Sequence, residues 1–153
     1  IIYCVVEEKE DDEILYCLVH TIENLIVTQA LEMPDRLSYI RTSFDSIIRE
    51  YGVENAGIRI PELSNTINSS IIERTYLEGV IQELLSNCSV DKYISGRKNT
   101  IARLLETDPK TISGYIDGQT MFYGIKNWDS FKKEEREAII TGFASLQLGG
   151  HYE

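Results

Sequence analysis

The chain reads as an α/β protein with a mixed five-stranded sheet, in which an antiparallel three-strand meander is joined to parallel strands and flanked by helices. Three observations predict this. Runs rich in β-branched, aromatic and long apolar residues occupy residues 1–6, 14–19 and 25–31, with short links between them. Such side chains suit a pleated, half-buried surface, and short links make antiparallel neighbours. A helical pattern over residues 34–51 then leads into a new apolar run, as the crossover to a parallel strand requires. Finally, 153 residues with 42% hydrophobic and 26% charged side chains suffice for one real core. No repeat, low-complexity run or linker interrupts them, so residues 1–153 are read as a single domain.

The first strand is expected over residues 1–6 and ends in a charged turn, Glu7 to Glu13. The second follows over 14–19, making a hairpin, and the third over 25–31. Pro34 with Asp35 opens a helix whose apolar stripe is Leu37, Ile40, Phe44, Ile47, Ile48 and Tyr51. Gly52 is its natural stop. The fourth strand, from Ala56 to Pro61-Glu62, is short, apolar, and presents a carboxylate where it ends. In open α/β sheets the ligand crevice lies outside such C-terminal strand ends. A polar loop over 63–68 leads to Ser70 and Glu73, three apart as in a capping box. The helix they open runs to about Leu85, with Tyr76, Leu77, Val80, Ile81, Leu84 and Leu85 on its apolar face. Residues 90–94 are the fifth strand, and 95–99 a basic turn. Short helices follow over 100–105 and, after an Asp108 cap and Pro109, over 110–116. A last helix is expected from about Ser130 to Leu146, burying Phe131, Ala138, Ile139, Gly142, Phe143 and Leu146. Glu134, Glu135 and Glu137 in its first half suit the positive end of the helix dipole, and Glu134 and Glu137 share one face.

Composition narrows the chemistry. The net charge is −10 and the pI about 4.7, so the chain does not advertise the basic face of a non-catalytic nucleic-acid binder. An acidic protein can still act on nucleic acid when carboxylates hold Mg²⁺ or Mn²⁺, because the metal supplies the positive charge. Only two histidines occur, His20 and His151, far apart in sequence, which argues against a His-rich metal site or a Ser-His-Asp triad. Cys4, Cys17 and Cys88 lack metal-ligand spacing and are read as reduced thiols of a cytoplasmic protein. No apolar run reaches bilayer length, and acids follow the first strand where a signal peptide would need a small-residue cleavage site. No membrane partner is expected, and any chemistry must be carboxylate chemistry.

The candidate residues are therefore acids. They are Glu7 at the end of the first strand, Glu62 at the end of the fourth, Glu78 on the following helix, and Glu134 and Glu137 on the last. Five stretches carry a resemblance: Val5-Val6-Glu7; Ile58 through Pro61-Glu62; the helix from Glu73 to Gly79; residues 90–95 leading to basic Arg97 and Lys98; and the acid-x-x-acid-Ala run from Glu134 to Ala138. With the element order, they resemble the ribonuclease-H-like fold, and within it the branch related to the RuvC Holliday-junction resolvases, in particular its small bacterial members. The resemblance implies metal-dependent phosphodiester hydrolysis on a nucleic acid. Glu7, Glu62 and Glu137 would be the catalytic, metal-holding acids for Mg²⁺ or Mn²⁺, with Glu78 and Glu134 accessory. Arg97 and Lys98 would contact the phosphate backbone, and a homodimer is implied for junction cutting. The chain departs from the pattern in having Glu7 where an Asp-x-Gly turn is usual, and glutamates rather than aspartates on the last helix. A catalytically degenerate RuvC-like interaction or nucleic-acid-associated module is the alternative. Convergence of Glu7, Glu62 and Glu137 distinguishes the two.

Two other readings come from the residues. Residues 100–113 allow a helix-turn-helix, opposed by the single lysine of its recognition helix. Tyr115, Phe122, Tyr123 and Trp128 are either core or an exposed partner surface.

Overall fold

The structure, a computed structural model, describes residues 1–11, 14–62, 68–123 and 125–149. Its strands are β1 (Ile2–Asp11), β2 (Ile14–Asn24), β3 (Asn55–Arg59) and β4 (Lys92–Gly96). Its helices are α1 (Met33–Tyr51), α2 (Ser69–Asn87), α3 (Lys98–Leu104), α4 (Pro109–Ile116) and α5 (Lys133–Leu146). Among the described residues the strands form two separate two-stranded sheets, β1 antiparallel to β2 and β3 parallel to β4. This corrects the expected five-stranded sheet.

Two local features also depart from the expected strands. Residues 25–31 form no strand. Leu25 N–H still bonds Ile1 O (2.8 Å), but Thr28 Oγ1 then accepts the Ala30 N–H (3.2 Å) and turns the chain. Ile26, 76% exposed, has no sheet face to bury. Second, the hairpin is longer than its apolar runs imply. Glu7 to Asp11 extend β1, and His20 to Asn24 extend β2, so the charged segment is ladder and not turn. Asp12 and Glu13 of that segment, residues 63–67 of the polar loop, and His151 lie outside the described residues.

The helices follow the sequence more closely. Pro34 stands in the first turn of α1, and Gly52 closes it in the left-handed region, φ 59°. Ile40 and Ile48 of the α1 stripe are buried, whereas Tyr51 is exposed. On α2, Leu84 and Leu85 are buried and Tyr76 is exposed. The expected capping box gives way to Asn68, whose Oδ1 accepts the Ile71 N–H at 2.9 Å. Glu73 instead pairs with the buried guanidinium of Arg36 on α1. Asp108 caps α4 as expected, accepting from the Lys110 and Thr111 N–H groups. The last helix begins at Lys133, after a 3₁₀ turn at Trp128–Ser130.

The described residues form two cores. One joins α3, α4 and α5 around Trp128, Phe122, Ile112 and Ile140, with Cys4 and Val6 of β1 packed on it. Trp128 Nε1 donates to Tyr115 O there (2.8 Å). Phe122 and Trp128 are therefore core and not an exposed surface, while Tyr123 is 62% exposed. Ile101, Ala102 and Ile112 of the helix-turn-helix candidate are core too. The other core gathers Ile48, Ile58, Leu84 and Leu85 from α1, β3 and α2, with Val90 from the link before β4. Helix α5 touches both sheets through small residues. A Cβ on Gly57 of β3 would stand 2.9 Å from Thr141, and one on Gly142 would stand 3.0 Å from Val6 of β1.

Candidate functional site

A cleft of about 1140 Å³ separates the two sheets. Ile2 to Glu8 of β1 and Asn55 to Arg59 of β3 line it along their length, with α5 on one side and α1 and α2 on the other. The candidate acids Glu7, Glu78, Glu134 and Glu137 line it, and Glu62 lies just beyond β3. The cleft runs along β1 and β3 rather than outside their C-terminal ends, and Glu62, just past β3, is not among the residues that line it.

Glu7 is held by its own hairpin. Between Val5 and Val6 the β1–β2 register shifts, because Val5 faces Thr21 while Val6 faces Val19. His20 is the unpaired residue of this bulge, a device that re-aims a side chain. His20 Nε2 lies 2.6 Å from Glu7 Oε2, and Lys9 Nζ 3.2 Å from the same oxygen. Hydrogen bonds from His20 and Lys9 hold the Glu7 carboxyl below the usual carboxylate range.

Glu62 is held from two sides. Its Oε1 accepts from Arg59 Nη2 at 2.8 Å and from the Lys98 N–H, at the start of α3, at 3.1 Å. Burial, the largest single influence, works to raise its pKa. The Lys98 and Arg59 interactions together outweigh burial and leave it lowered. Arg59 is 11% exposed and also faces Glu137 Oε1 of α5 at 3.8 Å. Its Nη1 donates to Ile60 O. Arg74 of α2 completes the group, donating to Glu78 Oε1 (2.6 Å) and to Arg59 O (2.9 Å). Arg97 spends its Nε on Pro61 O (3.1 Å), bracing the chain beside Glu62. For Lys98, the backbone N–H rather than the ammonium meets the site.

The structure therefore brings Glu62 and Glu137 together through one guanidinium, sets the Glu78–Arg74 pair beside them, and ties Glu7 to His20 and Lys9. Glu134 lines the same cleft from the first turn of α5. Among the described residues no group of three or more His, Cys, Asp or Glu side chains is disposed to hold a metal ion. The donor set does not fit a hard divalent cation, which takes several oxygen ligands at once. Between Glu62 and Glu137 the compensating charge is already Arg59, whose buried Nε has no hydrogen-bond partner among the described residues and is a donor, the wrong polarity to meet a metal. Sequence reasoning missed Arg59, Arg74 and His20. Arg59 left a signal, a single charge inside an otherwise apolar strand; Arg74 and His20 depend on packing and on a bulge that no spacing announces.

The chain's α/β fold is RuvC-like, of the ribonuclease-H-like kind. The solved structures it resembles include Thermus thermophilus RuvC, with 8% sequence identity and a TM-score of 0.61, and T. thermophilus RuvC in complex with Holliday junction substrate, with 10% identity and a TM-score of 0.63. Each likeness covers 96% of this chain and 94% of the other. At that identity the likeness is one of fold. No family model and no curated protein matches the chain.

Proposed function

We propose that this chain is a RuvC-like interaction module that does not hydrolyse phosphodiesters. One observation carries the reading: the Arg59 guanidinium stands between Glu62 and Glu137, with Glu62 Oε1 at 2.8 Å and Glu137 Oε1 at 3.8 Å. Carboxylates that serve a two-metal mechanism must turn their oxygens to the cations that clamp the attacking and leaving oxygens. Here each is turned to a protein cation instead. Fold does not fix function, and a retained fold with internally neutralised acids is what a module would keep.

Metal-dependent hydrolysis of a nucleic acid is the second reading. It is favoured by the convergence of Glu62 and Glu137, from different elements, on one point. One of the solved structures it resembles is T. thermophilus RuvC in complex with Holliday junction substrate, and a junction is the substrate to try here. Calorimetric titration with Mn²⁺ and Mg²⁺, on the parent and on Glu62→Gln, tests the choice together with cleavage of a labelled four-way junction. We expect no saturable heat at millimolar metal and no cleavage. Saturable binding that Glu62→Gln abolishes, or metal-dependent cleavage, would overturn the module reading.

A further inference from the structure

The backbone edges facing the cleft are complementary to something extended. Asp91 N–H bonds Glu54 O (2.8 Å), and Ile60 N–H bonds Gly96 O (3.1 Å). These even-numbered positions thus point their backbone groups toward β4. Strand backbones alternate, so Asn55, Gly57 and Arg59 point theirs away from β4, toward the cleft. The Arg59 carbonyl is met there by Arg74. On the other side β1 pairs only with β2 among the described residues, and its residues from Ile2 to Glu8 line the cleft. Two strand edges therefore face one slot.

Helix α5 sets the width of the slot. Both flanking strands rest on adjacent positions of α5, Gly57 against Thr141 and Val6 against Gly142. A helix with its side chains is about 10–12 Å across. A strand inserted about 4.7–4.9 Å from each neighbour spans about the same distance. Its alternate side chains would point to Ala138, Thr141 and Ser145 of α5 on one face and to Phe44, Ile48 and Leu77 on the other, all of which line the cleft. Seven glutamates line the cleft against two arginines and a histidine, five more negative than positive charges with His20 neutral. Phosphate is repelled by that balance; lysine and arginine are attracted.

We propose that the cleft binds an extended, basic polypeptide segment of a protein partner by strand addition between β1 and β3. Backbone hydrogen bonds supply affinity in such additions, and side-chain pockets supply selectivity. The inferred occupant has an apolar stretch of about five residues, matching the length of β3, and lysine or arginine beside it. This rests on reading the cleft as an interaction site and not a hydrolytic one.

The probes are a fluorescein-labelled peptide Val-Ile-Val-Thr-Val-Lys-Lys, the same peptide in reverse order, and versions ending in Glu-Glu. Fluorescence anisotropy with the intact chain should show saturable binding of at least one basic peptide, weakened at least tenfold in the acidic version. Hydrogen exchange should slow at Asn55 and Gly57 when that peptide binds. Ala138→Trp, which fills the α5 side of the slot, should abolish binding while circular dichroism and Trp128 burial report an intact fold. If that variant misfolds, the exchange footprint on the parent decides alone. The proposal is overturned if no peptide binds, if Asn55 and Gly57 are already fully protected in the free chain, or if sedimentation shows that a second copy fills the slot. Metal titration is a separate arm: saturable Mn²⁺ binding with no peptide binding sinks the module reading, and absence of both sinks strand addition alone.

Discussion

At the scale of single residues the decisive group is Arg59. A charged side chain inside a short apolar strand is costly unless it is paired, and Arg59 meets Glu62, Glu137 and the Ile60 carbonyl at once. Replacing it with leucine keeps the apolar stem and removes the cation from two carboxylates. We expect Arg59→Leu to lose about 1–2 kcal/mol at pH 7, discounted because Glu62 is half exposed. The pH dependence follows from the lowered pKa of Glu62. A carboxylate with its folded pKa below its unfolded one, about 4.3 for glutamate, contributes stability above the unfolded value. That contribution disappears as pH falls through the folded value. The difference between parent and Arg59→Leu should therefore be full above about pH 5 and should shrink as Glu62 protonates below about pH 4. Urea midpoints from pH 3 to 7 measure it. A difference that stays constant to pH 3 would show that Arg59 acts through packing alone.

At the scale of elements, helix positions were legible and sheet partners were not. Helix ends carry local chemistry: Pro34 and Gly52 bound α1, and Asp108 with Pro109 opens α4, each within a few residues of its effect. Strand pairing depends on distant partners. Leu25, Ile26 and Val27 have the composition of a strand but no partner that would bury Ile26. The capping-box reading failed for a similar reason, since Glu73 had a stronger partner in Arg36, 37 residues away. Of the candidate site, the strand-end acid Glu62 and the α5 acids could be read from the sequence. Their neutralisation could not, because Arg59, Glu62 and Glu137 meet only through the docking of α5. That docking makes a prediction. A Cβ on Gly57 would stand 2.9 Å from both Cγ2 and the backbone oxygen of Thr141, and the oxygen cannot move aside without shifting α5. Gly57→Ala should cost about 1–3 kcal/mol. Among the described residues nothing lies within 4 Å of the Cβ position of Gly79 on α2, so Gly79→Ala should stabilise by about 0.5–1 kcal/mol through helix propensity. Thermal or urea unfolding of the two variants should move in opposite directions.

At the scale of the whole molecule, two cores meet along one helix. Trp128, Phe122 and Ile140 belong to the core around α3, α4 and α5; Ile58, Leu84 and Leu85 belong to the core of α1, α2 and β3. The cleft runs between the sheets of the two. What crosses from one to the other at β3 is the seam of Thr141 and Ser145 on Gly57 together with the Arg59–Glu137 ion pair, which buries little apolar area because its residues are small, polar or charged. Free energies of local opening follow buried apolar contact, so the seam should be where cooperativity is weakest. Leu84→Ala and Ile140→Ala each remove a side chain that is 1% exposed, one from each core. Each should cost about 2–5 kcal/mol. Their hydrogen-exchange footprints should differ. Leu84→Ala should accelerate exchange in α1, α2, β3 and β4 while amides of α4 and α5 keep most of their protection. Ile140→Ala should accelerate exchange in both halves, because α5 is the support on which β1 and β3 each rest. Equal acceleration throughout the chain in both variants would show that the seam transmits as strongly as a continuous core. In that case the slot could not widen for an incoming strand without unfolding its walls, and strand addition would require the cleft to be as open before binding as it is after.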